Sequence, residues 1–198
     1  MHIFFDKVFC FFSYRIMKLP SIFVSLCFRS RFKKCGRNLF LQLPNKILGV
    51  RYAIIGNNFS SGKALRLEIF KSHNGVIFNP SFSIGNNVSI NDDCHLACIN
   101  KIKIGNSVLI ASKVFISDHT HGALDFSDIE IHPSLRKLYS KGPIIIEDDV
   151  WICEGVVILP NVVIGKGSII GANAVVTGNI PPYSIAVGSP ARVIKLLK

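Results

Sequence analysis

The stretch Ser117-Asp118-His119-Thr120-His121-Gly122 holds the chain's densest grouping of side chains able to do chemistry. A histidine, with a reference pKa of about 6.5, can take up and return a proton at neutral pH. A carboxylate such as Asp118 can fix which ring nitrogen carries that proton. The same set, joined by His95 from a neighbouring chain, could instead hold zinc. The histidines outside this group, His2, His73 and His132, read as ordinary surface or core residues. The six cysteines are scattered and contain no CxxC pair, so they read as buried reduced thiols and not as a disulfide framework or a metal site.

The elements that must position this group follow a period of six. From Ile146 to Ile180 an aliphatic residue returns at Ile146, Ile152, Ile158, Ile164, Ile170 and Val176. Helices repeat near 3.6 and strands near 2, so neither explains it. A parallel β-solenoid does: each hexapeptide gives one short strand and one turn, and three of them close a triangular coil. Gly165, Gly171, Asp148 and Asp149 suit tight corners where positive φ is tolerated. Weaker registers precede this array, at Ile55-Gly56, Ser61-Gly62 and Leu67-Glu68, then from Phe78 through Ile84-Gly85, Ile90-Asn91 and Leu96-Ala97. After a two-residue slip, read as a bulge near Asn100, the period resumes at Ile104, Ile110 and Ile116. It then stops until Ile146. Residues 117–143 therefore form a loop thrown from a corner, and the Asp-His-Thr-His group lies at its root.

The net charge of +11 fits a nucleic acid, an anionic membrane surface or a polyphosphate cofactor. No nucleic-acid signature appears, and the aromatics sit in an apolar N-terminus instead of between basic residues, so no nucleic acid partner is expected. Residues 1–45 read as an apolar, basic, helical segment. Its longest uncharged stretch, Leu19 to Phe28, is about half of the ~20 residues that a membrane span requires, and no small-residue cleavage site follows it. Two roles remain for it: a cap on the solenoid end, or a peripheral membrane contact through residues 1–40. The expected location is cytoplasmic, with peripheral attachment to the inner face of the membrane as the second role. Residues 46–181 form the solenoid domain. In the tail, residues 182–198, Pro190 can start a short C-terminal helix, and Arg192 and Lys195 give it a basic face.

Three pieces, ISDHTHG, VWICEGVVILPNVVIGKGSIIGANAVVT and IPPYSIAVGSPARVIK, resemble the hexapeptide-repeat acyltransferases, above all the bacterial sugar O-acetyltransferases of the maltose, galactoside and lipopolysaccharide O-antigen types. The resemblance implies an all-β chain built as a left-handed parallel β-helix, with acetyl-CoA as co-substrate and no metal. It also implies acetyl transfer to a hydroxyl of a saccharide, free or lipid-linked, in O-antigen or other surface polysaccharide biosynthesis. It further implies a homotrimer with sites between chains. On this pattern His121 is the catalytic base and His119 a second candidate, with Asp118 or a backbone carbonyl fixing the tautomer and a backbone N–H near Glu154 facing the oxyanion. Trp151, Glu154, Gly155, Ala172, Thr177, Arg192 and Lys195 fall on the acetyl-CoA groove, and Asn91 and Asp93 on the acceptor side. Two departures touch the cofactor contacts: Cys153 where glycine is usual, and Gly178 where many relatives carry lysine. A γ-carbonic-anhydrase-like zinc enzyme and a non-catalytic solenoid are the alternatives on the same scaffold.

Overall fold

The computed structural model describes residues 18–123 and 125–198. Three sheets, parallel throughout their main array, form the faces of a triangular prism. The first face stacks Lys34–Cys35, Ala53–Ile55, Ser81–Ile84, Lys101–Ile104, Ile144–Ile146 and Val162–Ile164. The second stacks Phe40–Leu41, Ser60–Ser61, Ser89–Ile90, Leu109–Ile110, Trp151–Ile152, Ile169–Ile170 and Ser184–Val187, and the third runs from Lys46–Leu48 through Arg66–Ile69, His95–Cys98, Phe115–Ser117 and Val157–Ile158 to Val175–Val176. The first two strands start ahead of residue 46, so the solenoid takes in part of the segment expected to be helical.

The aliphatic of each hexapeptide points into the prism, and Ile110, Ile152 and Ile170 are fully buried in one stack. Each such side chain contributes roughly 1.5–3 kcal/mol of burial. Positive φ falls three positions after the aliphatic, at Asp149, Gly155, Asn161, Gly167 and Asn173. Of the corner residues anticipated from sequence, only Asp149 serves that purpose. Glycine directly after the aliphatic has another cause, the close stacking of coils: a Cβ on Gly105 would stand 2.7 Å from the backbone nitrogen of Asp148. Beside these glycines a polar ladder runs up the corner, in which Asn57, Asn86, Asn106 and Asp148 each accept a backbone N–H from the coil below.

Trp151 pairs with Ile169, eighteen residues on, whereas Ser89 pairs with Leu109, twenty residues on. The extra two residues are not a bulge within a strand. They lengthen the corner between the third and first faces at Ile99 and Asn100, whose amides need a partner that a strand would otherwise have supplied.

Two excursions leave that same edge of the prism. One is the expected long loop, in which Thr120–His121 pairs antiparallel with Leu138–Tyr139. The other, unanticipated, is a hairpin of Ser72–His73 and Val76–Ile77. Asn74 donates to the carbonyl of Ser134 at 3.2 Å and ties the two together.

At the N-terminal end, residues 18–29 form a helix. Ser25 Oγ accepts the N–H of Leu41 at 2.8 Å, and Ser21 Oγ accepts that of Leu43 at 3.0 Å. The helix thus satisfies donors on the open edge of the first coil, the capping role; residues 1–17 lie outside the described residues. At the other end the expected helix is absent. Arg192–Leu196 is a strand pairing antiparallel with Ser184–Val187; Val193 and Ile194 favour extended backbone, and the pairing covers the edge of the second face. No helix among the described residues is long and apolar enough to cross a membrane.

Candidate active site

Alternation along the third face turns Leu67, Leu96 and Ile116 into the core, while Arg66, Glu68, His95, Ala97, Phe115 and Ser117 point outward. These outward side chains floor a cavity of about 180 Å³. Its walls come from the two excursions, Phe70 and His73 on one side and His119, His121 and Leu138 on the other.

Asp118 stands at the root of the long loop and is fully buried. Its carboxylate accepts the N–H of Ile99 at 2.9 Å and of Asn100 at 2.8 Å, which supplies the partners that the lengthened corner lacks. The third acceptor position takes Nδ1 of His119 at 2.9 Å. Nδ1 is therefore the protonated nitrogen of His119, and Nε2 keeps the basic lone pair. The His119 side chain is only 8% exposed and meets Phe70 edge-on, with ring centroids 6.1 Å apart. His121, two residues on, is exposed at the cavity mouth, and its ring meets that of His73 at 5.9 Å between centroids. The expected partnership is thus corrected in one respect: Asp118 orients His119, not His121.

Glu68 is buried on the cavity floor. Loss of hydration is the largest single influence on its carboxyl and pushes the pKa up, but Lys46 at 2.8 Å and Arg66 at 2.6 Å together outweigh it, and the group stays ionised below its ordinary range. His95 Nε2 lies 3.2 Å from the same carboxylate. Burial, reinforced by the charge of Arg66, lowers the His95 pKa despite that carboxylate, so the ring is neutral at pH 7 and donates to Glu68.

The other anticipated residues lie apart from this cavity. Asn91 and Asp93 sit at the corner between the second and third faces, at the far end of the strand His95–Cys98, and Asp93 serves there as a positive-φ corner residue. Glu154, Gly155 and Ala172 occupy that same corner in adjacent coils, Glu154 paired with Lys113 at 3.0 Å. Trp151 is exposed on the second face, Thr177 closes the last strand of the third face, and Arg192 and Lys195 are exposed on the terminal strand. Cys153 is half-buried, and burial raises its pKa, so it is a thiol at neutral pH. Sequence reasoning missed Arg66, Glu68, Phe70 and His73. A readable signal existed in Arg66-Leu67-Glu68, where two charges flank an inward leucine, and in the eleven-residue step from Leu67 to Phe78, which hides the hairpin.

A pinned imidazole and an open one at the mouth of a cavity can move a proton to or from a bound substrate, and comparison with known proteins gives the class of reaction. Residues 143–178 match the family described as Bacterial transferase hexapeptide (six repeats). The putative lipopolysaccharide biosynthesis O-acetyl transferase WbbJ of Escherichia coli K12 is 44% identical over 144 residues, spanning 71% of this chain and 69% of that protein. The galactoside O-acetyltransferase of the same organism is 39% identical over 60% of this chain, which spans only 55% of that relative's length. Among solved structures, a maltose O-acetyltransferase from Clostridium difficile superposes with a TM-score of 0.58 at 29% identity, covering 86% of this chain and 73% of that one. A hexapeptide-repeat acetyltransferase of Vibrio cholerae, solved with acetyl coenzyme A, gives a TM-score of 0.50 at 25% identity over 86% of this chain and 74% of that one. The chain belongs to the hexapeptide-repeat acetyltransferases, and its solenoid is their left-handed parallel β-helix.

Proposed function

We propose that the protein transfers the acetyl group of acetyl-CoA to a hydroxyl of a saccharide, with His121 as the general base. The observation that carries this reading is the unequal pair of imidazoles. His119 is locked by the buried Asp118 and nearly enclosed, so it fixes the loop root, while His121 is open to a bulky acceptor at the mouth of the cavity. A sugar hydroxyl is a weak nucleophile at neutral pH. His121 removes its proton as the oxygen bonds to the thioester carbonyl carbon, the tetrahedral oxyanion forms, and the C–S bond breaks as the thiolate departs and regains the proton from the imidazolium. No acyl-enzyme is needed, consistent with the raised pKa of Cys153. The exposed Trp151, the small residues Gly155 and Ala172 at an open corner, and the cations Arg192 and Lys195 suit a groove for the pantetheine and phosphates of the donor.

The acceptor is a saccharide on a lipid carrier, destined for a surface polysaccharide, a reading supported by the description of the Escherichia coli relative. The working form is a homotrimer. Leu109 and Trp151 expose an apolar strip in register on the second face, opposite the edge that carries His121, so in a ring of three the strip of one chain would face the His121 edge of the next. The zinc-enzyme alternative would need His95 as a ligand, and its Nε2 is already engaged by Glu68.

The test is release of the CoA thiol with saccharide acceptors. His121→Ala should lower kcat by at least ~10²-fold, with Cys153→Ser close to wild type. A His121→Ala enzyme within a few-fold of wild type would remove His121 as the base.

A further inference from the structure

We propose that the helix over residues 18–29 seats the protein on an anionic lipid bilayer. A surface helix ordinarily turns its one apolar stripe to the core; this one carries a second stripe that faces away from it. Its inward side packs Phe28 on the core and spends Ser21 and Ser25 on the backbone donors of Leu41 and Leu43. At about 100° per residue, Leu19, Ile22, Phe23 and Leu26 fall on the opposite side within an arc of roughly 100°. They are 60%, 46%, 68% and 64% exposed. Four large apolar side chains in one contiguous stripe call for a cover.

Charge identifies what covers them. Between Asp6 and Glu68 the sequence holds twelve lysines and arginines and no carboxylate. Arg29, Arg31, Lys33 and Lys34, directly after the stripe, are exposed, and none forms an ion pair with a described residue. A second copy of the chain docked through this stripe would set the same cations against one another, since a two-fold interface repeats its own patch. An anionic leaflet answers both features: its acyl boundary takes the stripe and its headgroups take the cations. The helix would lie in the interface plane, and binding would be reversible and weakened by salt.

The experiment is co-sedimentation of the full chain with vesicles of phosphatidylcholine alone and of phosphatidylcholine mixed with phosphatidylglycerol, at low and high salt. The protein should partition at least ~10-fold more strongly onto the anionic vesicles, and less so at high salt. Phe23→Glu combined with Leu26→Glu, both at exposed positions outside the catalytic site, should lower that partition at least ~10-fold. CoA release with a water-soluble acceptor should stay as in wild type, which separates failure of docking from failure of the acetyltransferase reading. Equal binding to both vesicle types would overturn the proposal, as would binding that the double variant leaves unchanged. A fall in the mass of the double variant by light scattering without vesicles would make a second copy the occupant. A lower melting temperature with unaltered vesicle binding would make residues 1–17 the cover.

Discussion

Replacing Asp118 by asparagine changes one atom at the point where the loop, the lengthened corner and His119 meet. The carboxylate accepts three donors with two oxygens: Oδ1 takes Ile99 N–H and His119 Nδ1, and Oδ2 takes Asn100 N–H. An amide has one accepting oxygen, so a donor must face its NH₂ group. If the oxygen keeps the Oδ1 position, the amide of Asn100 is orphaned; if it flips, the buried amide of Ile99 is orphaned and His119 must change tautomer. Asn100 is exposed and water can reach its N–H, whereas Ile99 is buried. The first orientation wins, and the cost is at the low end of the penalty for an unsatisfied donor, about 1 kcal/mol. Asp118→Ala leaves all three donors without a partner and opens a void, at a cost of about 3 kcal/mol or more. Denaturant unfolding of both variants measures the difference. Two variants equal to each other, or both within about 0.5 kcal/mol of wild type, would refute the view of Asp118 as the anchor of the site.

Two further outcomes follow from the stacking and from the titrating groups. Gly105→Ala should cost about 1–3 kcal/mol, because the new Cβ meets backbone atoms of Glu147 and Asp148 at 2.7 Å, while Gly178→Ala, with nothing within 4 Å, should be near neutral; equal melting temperatures for the two would contradict the close-stacking account. Stability should depend on pH in two steps. His95 has a folded pKa below its ordinary 6.5, so the unfolded chain binds a proton first and stability falls as the pH drops below about 6.5; Glu68, held below 4.5, contributes stability that is complete above that value and is lost as the pH falls through its lower folded pKa. Thermal scans of His95→Gln should show the first step removed, and a step that persisted would assign it to another group.

The prism was legible from the sequence because its cause is local and repetitive. An inward aliphatic every six residues is a burial pattern, and the long loop announces itself as the place where that pattern ceases. The corners were legible only in part. Glycine after the aliphatic looked like a demand on φ, yet at Gly105 it answers to the backbone of Glu147 and Asp148 in the coil above. The terminal strand was misread because one proline outweighed the extended preference of Val193 and Ile194.

The site was legible only where its residues are neighbours in sequence. Asp118, His119 and His121 could be picked out, but their division of labour could not: Asp118 is occupied by amides at positions 99 and 100, a coil earlier, and that prior engagement fixes which imidazole it holds. Glu68 and His95 lie twenty-seven residues apart in sequence and side by side on the outer third face, because the Phe70 to Pro80 hairpin lengthens the coil between them. Their ionisation states follow from what the coils bring together, desolvation opposed by Lys46 and Arg66 at Glu68, and burial with the Arg66 charge at His95, since neither residue has an unusual sequence context. The chemistry of the cavity is therefore set by coil lengths. A solenoid can re-pair its outward side chains by inserting residues at a corner while its inward isoleucines stay in register, and this chain does so at residues 70–80, at 99–100 and at 118–143.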